Sequence, residues 1–90
     1  MKTIKFSPDV YKKLQRLRSK NTVLFQKIHK QLKIFEADPL HPSLRLHKIT
    51  REVENVWSIS INKSVRMLYT ESDEDIYFFE IGTHDEVYRK

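Results

Sequence analysis

The chain has 90 residues, a formal net charge of +5 at pH 7 and no cysteine. One domain over residues 1–90 is expected, and disulfides, thiolate metal sites and a thiol nucleophile are excluded. With 39% hydrophobic and 32% charged residues, the composition is globular rather than that of a disordered tail or membrane protein. No apolar run approaches the ~20 residues of a membrane helix. Because Met1–Phe6 alternates like a strand rather than a signal peptide, a cytoplasmic protein is expected.

The positive charge is concentrated in the first third of the chain. Residues 1–34 contain ten Lys or Arg and one acid, whereas residues 71–90 contain seven acids and two basic residues. This asymmetry favours oriented binding, with nucleic acid as the first candidate partner and an acidic protein as the second. Any single lysine is equally explained as part of the solvated face of a helix.

A strand followed by two helices is predicted in the basic half. Residues 2–6 alternate as a strand. Ser7, Pro8 and Asp9 then form a helix start, because they suit the N-cap, the first helical position and the positive end of the helix dipole. A second helix is predicted from about residue 21 to Glu36. Its apolar stripe repeats at helical spacing: Leu24, Ile28, Leu32 and Phe35.

Beyond the loop at residues 40–43 the apolar period changes from helical to two. Alternation marks three or four strands, around residues 44–48, 57–61, 65–70 and 76–81. Short polar turns between them predict an antiparallel meander. The expected fold is therefore α+β, with two helices packed on one face of a twisted, mainly antiparallel sheet. The other face is expected to be open and used for function.

Two sets of polar side chains on the strand half could carry chemistry. Arg45, His47 and Lys48 lie before and within the first meander strand, and Arg66 lies in the central hairpin. The only glycine, Gly82, is expected to allow an unusual backbone turn that places the following histidine at the sheet rim. An imidazole beside an arginine can move protons next to a bound anion. An exposed loop histidine and a surface ion pair of the arginine are the alternatives.

Other site types find little support in the sequence. The four histidines show neither helical zinc spacing nor a tight cluster with a carboxylate. There is no Gly-x-Ser-x-Gly elbow, and the acidic run at residues 73–75 lacks the spacing of a calcium loop. No metal site is therefore predicted.

The order and spacing of four segments resemble a known family. The sequence is similar to toxins of the RelE/ParE superfamily from bacterial type II toxin-antitoxin systems, in particular the RelE/StbE and YafQ-like branch. The segments that carry the resemblance are His41–Lys48, Val56–Ile61, Val65–Tyr69 and Ile81–Tyr88. The preceding strand and two helices agree with the family in order and length.

The resemblance implies a β-α-α-β-β-β RelE-like fold and an enzyme that cleaves mRNA, in many members at the ribosomal A site. It implies no metal and no cofactor, because the ribose 2′-hydroxyl attacks the adjacent phosphate, which also makes the reaction specific for RNA. The implied partners are a cognate antitoxin, the ribosome and mRNA, with no membrane.

The same resemblance assigns roles to individual residues. Arg66 matches an arginine that binds the scissile phosphate. His84 matches a catalytic histidine, taken as the general acid, and His47 is the candidate base. Tyr88 matches a terminal aromatic that supports the site or stacks on a base. The remaining matched cations are assigned to RNA binding: Arg45, Lys48 and Arg89. Where RelE has two strand lysines, this chain has Ser58–Ser60, which favours a histidine-based site.

Two alternatives to a ribosome-dependent endoribonuclease stay open at the level of sequence. One is a ParE-like inhibitor of DNA gyrase, which shares the fold and needs no nuclease site. The other is a degenerate, non-catalytic member that acts as a binding module.

Overall fold

Residues 2–49 and 55–88 are described in a computed structural model of the chain. They form five strands, three α-helices and one 3-10 turn. In chain order these are β1 (Thr3–Phe6), α1 (Pro8–Lys20), α2 (Thr22–Ala37), the 3-10 turn (Pro42–Leu44), β2 (His47–Ile49), β3 (Val56–Ser60), β4 (Val65–Glu71), β5 (Asp75–Thr83) and α3 (His84–Tyr88). Within these ranges no helix has the length and apolar character needed to cross a bilayer.

The strands form one mixed sheet in the order β1-β5-β4-β3-β2. Strands β2 to β5 pair antiparallel with their neighbours along the chain. Strand β1 pairs with β5 in parallel, since α1 and α2 carry the chain between the two sheet edges. The α+β class, the strand-helix-helix-strand order and the mainly antiparallel sheet are thus confirmed.

Capping side chains set the helix boundaries. The Oγ of Ser7 accepts a hydrogen bond from the backbone N–H of Val10 at 3.1 Å, so the predicted N-cap of α1 is confirmed. Asn21 joins the two helices. Its backbone N–H donates to the Leu17 carbonyl at the end of α1, and its Oδ1 accepts from the Leu24 N–H at the start of α2. One residue therefore ends one helix and begins the next.

The main core lies between the two helices and one face of the sheet, here called the helix face and defined by Ile59, Met67 and Tyr69. Phe35 of α2 packs edge-on against Tyr69, with ring centroids 5.2 Å apart. Burial, with a smaller contribution from nearby Glu71, raises the pKa of the Tyr69 phenol to about 12. The buried members of this core are Val10, Ile28, Phe35, Leu44, Ile59, Ile61, Met67, Tyr69, Ile76, Phe78 and Ile81.

The opposite side of the sheet, the distal face, is defined by Val56, Ser58 and Leu68. It carries a second, smaller buried cluster of Ile49, Val56, Leu68 and Val87. The last of these comes from α3 and is 0% exposed. The expectation that this face is simply open is therefore wrong, because the short helix α3 folds back and covers part of it.

The chain around Leu44 differs from the predicted strand. Residues Pro42–Leu44 form a 3-10 turn, and β2 begins only at His47. The turn is closed locally, because the backbone N–H of Ser43 donates to His41 Nδ1 at 3.1 Å. It ends at Arg45, which has a left-handed backbone with φ 45°. Leu44 fills the main core from this turn, so its apolar alternation with Leu46 did not reflect a strand.

Candidate active site

The distal face brings together polar side chains from three neighbouring strands. His47 pairs with Ser58 across β2 and β3, and Ser60 pairs with Arg66 across β3 and β4. Paired residues point to the same face of a sheet, and alternate residues of a strand share a face. Arg66 therefore lies on the same face as Leu68, beside His47 and Ser58.

Arg66 is held by several acceptors. Its Nε donates to Ser58 Oγ at 2.5 Å, and its Nη2 donates to the Arg45 carbonyl at 2.9 Å and to the Ser58 carbonyl at 3.4 Å. Within the two described ranges, Nη1 has no hydrogen-bond partner. The protein thus fixes the guanidinium plane and leaves donors free for a ligand.

A capping box aligns α3 with this cluster. The Oγ1 of Thr83 accepts from the Glu86 N–H at 3.3 Å, and Glu86 Oε1 accepts from the Thr83 N–H at 2.7 Å. This is the reciprocal Thr-x-x-Glu arrangement that fixes a helix start. The bonds to Thr83 lower the pKa of the Glu86 carboxyl, because they favour its ionised form. The start of α3, and with it the direction of its side chains, is therefore fixed.

Gly82 serves the capping box rather than a special turn. The φ of Gly82 is not positive, and β5 continues through Gly82 to Thr83. The prediction of an unusual backbone turn at this position is therefore wrong. A Cβ at this position would lie 2.9 Å from Glu86 Oε1 and 3.1 Å from Glu86 Cβ. A side chain here would therefore displace the returning carboxylate of Glu86, which passes directly over Gly82.

Tyr88 stands between the two candidate histidines. Its ring centroid lies 4.3 Å from that of His84, in an edge-on arrangement, and 5.8 Å from that of His47. Its hydroxyl donates to Ser58 Oγ at 2.6 Å and lies 3.3 Å from His47 Nε2. Tyr88 thus links α3 to the polar cluster of the sheet.

The contacts of His47 favour one position for the ring proton in the neutral form. Its Nδ1 lies 3.5 Å from Arg66 Nη2, which can only donate. Its Nε2 faces the Tyr88 hydroxyl oxygen, whose own proton is directed to Ser58. The arrangement fits the tautomer protonated at Nε2, in which the lone pair of Nδ1 faces the guanidinium and accepts from it.

A basic groove of about 480 Å³ opens beside Arg66. Its described charged and ionisable lining consists of Lys27, Arg45, Lys63, Arg66 and His84, and no carboxylate is found among the lining residues that the structure describes. The side chain of His84 is 70% exposed. The groove can therefore take an anion with Arg66 and His84 at its wall. Among the described residues, no group of three His, Asp or Glu side chains could hold a metal ion.

The three cations predicted to bind RNA do not lie together in the structure. Arg45 is among the residues that line the groove, and its carbonyl accepts from Arg66 Nη2. Lys48 pairs with Trp57 and lies 5.9 Å above its ring, on the helix side of the sheet, so it is not brought into the groove. Arg89 lies outside the described residues.

Three features of the site were missed in the sequence. Thr83 and Glu86 have the spacing of a capping box, so the pattern that predicts α3 was present. Ser58 carried no such signal, because its role depends on strand register. Lys27 and Lys63 were likewise indistinguishable from ordinary surface lysines.

The family profile of a "bacterial toxin of type II toxin-antitoxin system, YafQ" matches residues 2–89. No curated protein matches the sequence.

Solved toxin structures match the fold over nearly its whole length. A chain of the YoeB–YefM complex from Staphylococcus aureus is 24% identical with a TM-score of 0.76, covering 93% of this chain and 98% of the other. YafQ from Escherichia coli is 16% identical with a TM-score of 0.72, covering 98% and 99%. A YoeB/ParE toxin from Agrobacterium tumefaciens is 12% identical with a TM-score of 0.76, covering 91% and 98%. At these identities the likeness establishes the fold.

Proposed function

Because the chain belongs to the YafQ family of toxins from bacterial type II toxin-antitoxin systems, we propose that it is a metal-independent endoribonuclease that cleaves mRNA on the ribosome and so inhibits translation. The observation that carries the proposal is the arrangement around Arg66. Its guanidinium is fixed by Ser58 and Arg45, with His47 beside it and His84 on the wall of the same groove.

The proposed reaction uses the RNA itself as nucleophile. The 2′-oxygen forms a bond to the adjacent phosphorus while the bond from phosphorus to the 5′-oxygen breaks, giving a 2′,3′-cyclic phosphate and a 5′-hydroxyl. His47 accepts the 2′-hydroxyl proton at Nδ1, and His84 donates a proton to the leaving 5′-oxygen. Arg66 binds the non-bridging phosphate oxygens, where negative charge develops.

Tyr88 supports both proton-transfer groups in this proposal. Its ring packs edge-on against His84, and its hydroxyl faces His47 Nε2. Two histidines placed around one aromatic ring can serve the attacking and leaving oxygens of a phosphate held between them. The arrangement replaces the strand lysines of RelE, for which this chain has serines.

The RNA strand is proposed to follow the basic groove. Arg45, Lys27 and Lys63 line it together with Arg66 and would bind phosphates flanking the scissile one. Lys48 points away from this path. The lysines on the exposed surfaces of α1 and α2 are better suited to rRNA phosphates or to an acidic protein.

A cognate antitoxin is the proposed protein partner. Similar toxins have been solved as the DinJ–YafQ complex of E. coli and the YoeB–YefM complex of S. aureus. The excess of Lys and Arg over residues 1–34 would attract an acidic partner segment. Coexpression with the product of a small acidic reading frame found next to the gene should therefore abolish toxicity.

The function is tested by inducing the protein in cells and mapping the 5′ ends of cellular mRNA. Growth arrest with new 5′-hydroxyl ends inside translated regions is expected. His84→Ala should reduce cleavage roughly 100-fold, because general acid catalysis is lost. A reporter RNA with a single 2′-deoxynucleotide at the mapped site is the substrate control, and it should not be cut.

Ribosome dependence is tested with the same RNA, free or bound in a translating complex. Faster cleavage of the bound RNA supports the proposal. Growth arrest with intact mRNA would overturn it, and inhibition of purified DNA gyrase in a supercoiling assay would then identify the ParE-like alternative.

A further inference from the structure

The hydroxyl of Ser58 is the common acceptor of the polar cluster. Ser58 is 0% exposed and lies in the middle of β3. Its Oγ accepts from Arg66 Nε at 2.5 Å and from the Tyr88 hydroxyl at 2.6 Å. One buried oxygen thus connects β3, β4 and α3.

The bond to Ser58 decides which edge of the Arg66 guanidinium is available. An arginine binds a phosphate through a pair of parallel N–H groups. Because Nε is occupied by Ser58 Oγ, the pair that includes Nε is not free. Nη2 also donates within the protein, to the carbonyls of Arg45 and Ser58. The donors that remain are those of Nη1, which has no partner in the described parts of the chain.

The same oxygen orients the proton of Tyr88 and, through it, His47. With the phenolic proton directed to Ser58, the Tyr88 oxygen is an acceptor for the Nε2–H of His47, 3.3 Å away. The neutral imidazole then keeps its lone pair on Nδ1, beside Arg66 Nη2.

We propose that Ser58 is a positioning residue for RNA cleavage: its Oγ sets the edge of Arg66 that meets the phosphate and holds His47 in the tautomer whose Nδ1 acts as base. This rests on the proposed function, since it names what keeps those two side chains in place. The serine acts through its neighbours and does not contact the RNA.

Ser58→Ala removes the acceptor and little volume. We expect kcat for an RNA substrate to fall about 10- to 100-fold, with a much smaller change in KM. The limb of the pH–rate profile that reports the base should also shift. Ser58→Cys, of similar shape but with a weakly accepting sulfur, should behave like the alanine variant and covers the case in which the alanine variant does not fold.

Ser60→Ala is the matched control, because it removes another buried serine hydroxyl from the same strand. Ser60 is 8% exposed, and its Oγ donates to the Asn62 carbonyl rather than bonding Arg66 or Tyr88. Its effect on kcat should be clearly smaller than that of Ser58→Ala. Equal effects of the two substitutions would overturn the proposal.

A spectroscopic readout separates this inference from the function itself. In the wild type, nitrogen-15 NMR should show neutral His47 protonated at Nε2, and Ser58→Ala and Ser58→Cys should both populate the other tautomer. This measurement needs no RNA, so it is informative even if the wild type cleaves nothing and the proposed function fails. An unchanged His47 tautomer together with an unchanged kcat in either folded variant would overturn the positioning role.

Discussion

The two faces of the sheet differ in what their side chains do. The helix face is covered by two long helices and packs aromatic and aliphatic residues around Phe35, Tyr69 and Phe78. The distal face has a smaller apolar cluster, and beside it Ser58 and Arg66 form side-chain hydrogen bonds. Apolar burial stabilises the fold in proportion to area, whereas hydrogen bonds specify geometry. The helix face therefore stabilises the domain, and the distal face arranges the polar side chains of the candidate site.

The helices that cover the two faces also differ in length. Helices α1 and α2 span Pro8–Lys20 and Thr22–Ala37, while α3 has only five residues. A helix that short is not stable by itself. Its position depends on the capping box and on Val87, which is 0% exposed. Damage to the distal face should consequently affect activity before it affects global stability.

The largest expected effect is on stability and comes from the helix face. Phe78→Ala removes a ring that is 0% exposed and lies 5.2 Å from the ring of Tyr69. We expect the free energy of unfolding to fall by about 3–5 kcal/mol, measured by urea denaturation. Tyr77→Ala, at a neighbouring position that is 39% exposed, is the control and should cost much less. RNA cleavage per folded molecule should persist, and its complete loss in a folded Phe78→Ala protein would contradict the division between the faces.

Arg66→Ala should show the opposite pattern. Loss of the fixed guanidinium is expected to reduce kcat by about 10²–10³-fold with little change in the urea midpoint. Arg66→Lys should rescue poorly, because a lysine cannot reproduce the planar pair of donors. Lys48→Ala, which removes a cation from the other side of the sheet, should have a much smaller effect. A similar loss of kcat in Arg66→Ala and Lys48→Ala would contradict the prediction, because it would show that cleavage depends on positive charge in general and not on the groove.

The buried phenol of Tyr69 makes the helix face sensitive to alkali. Because its pKa is raised from 10.0 to about 12, the unfolded chain ionises first, and stability present below pH 10 is lost as the pH rises through 12. The wild type should lose up to about 2–3 kcal/mol more than Tyr69→Phe over this interval. Urea titrations at several pH values measure it. The exposed-site control, Tyr77→Phe, should follow the wild type, and identical curves for wild type and Tyr69→Phe would refute the prediction.

The smallest effect should be an acid sensitivity confined to α3. Glu86 has a pKa below its ordinary 4.5, owing to the bonds with Thr83. Its contribution is present above the unfolded pKa and is lost as the pH falls through the lowered value. The NMR signals of the Thr83 amide and the Val87 methyls should therefore change below pH 4.5 while those of the main core stay constant. Glu86→Gln, which retains an acceptor but does not titrate, should lack this step.

Elements with long sequence patterns were predicted more accurately than elements with short ones. Helix α2 repeats its apolar residues over several turns, and Ser7 with Pro8 marks the start of α1, so both helices were predicted correctly. Alternation located β3, β4 and β5. The short segment around Leu44 failed, since two alternating residues fit a 3-10 turn as well as a strand. Helix α3 was missed because five residues are too few to show a helical period, although its capping-box residues are present in the sequence.

The residues of the candidate site could be named from the sequence, but their arrangement in space could not. The resemblance singled out Arg66, His47, His84 and Tyr88, and the structure brings them into one cluster. The role of Ser58 could be inferred only from the register of β3 against its neighbouring strands. Lys48 was predicted to belong to the site but lies on the other face of the sheet, because successive residues of a strand point to opposite faces.

The sequence by itself determined the order of elements, the charge asymmetry and the supply of imidazole, guanidinium and phenol groups, because helix caps and apolar periodicity act between residues close in the chain. Tertiary structure alone decided that His47 and Tyr88, 41 residues apart, lie 3.3 Å from each other and that Ser58 connects Tyr88 to Arg66. Side-chain hydrogen bonds act over about 3 Å. They therefore depend on strand register and on the docking of α3, which no local pattern specifies.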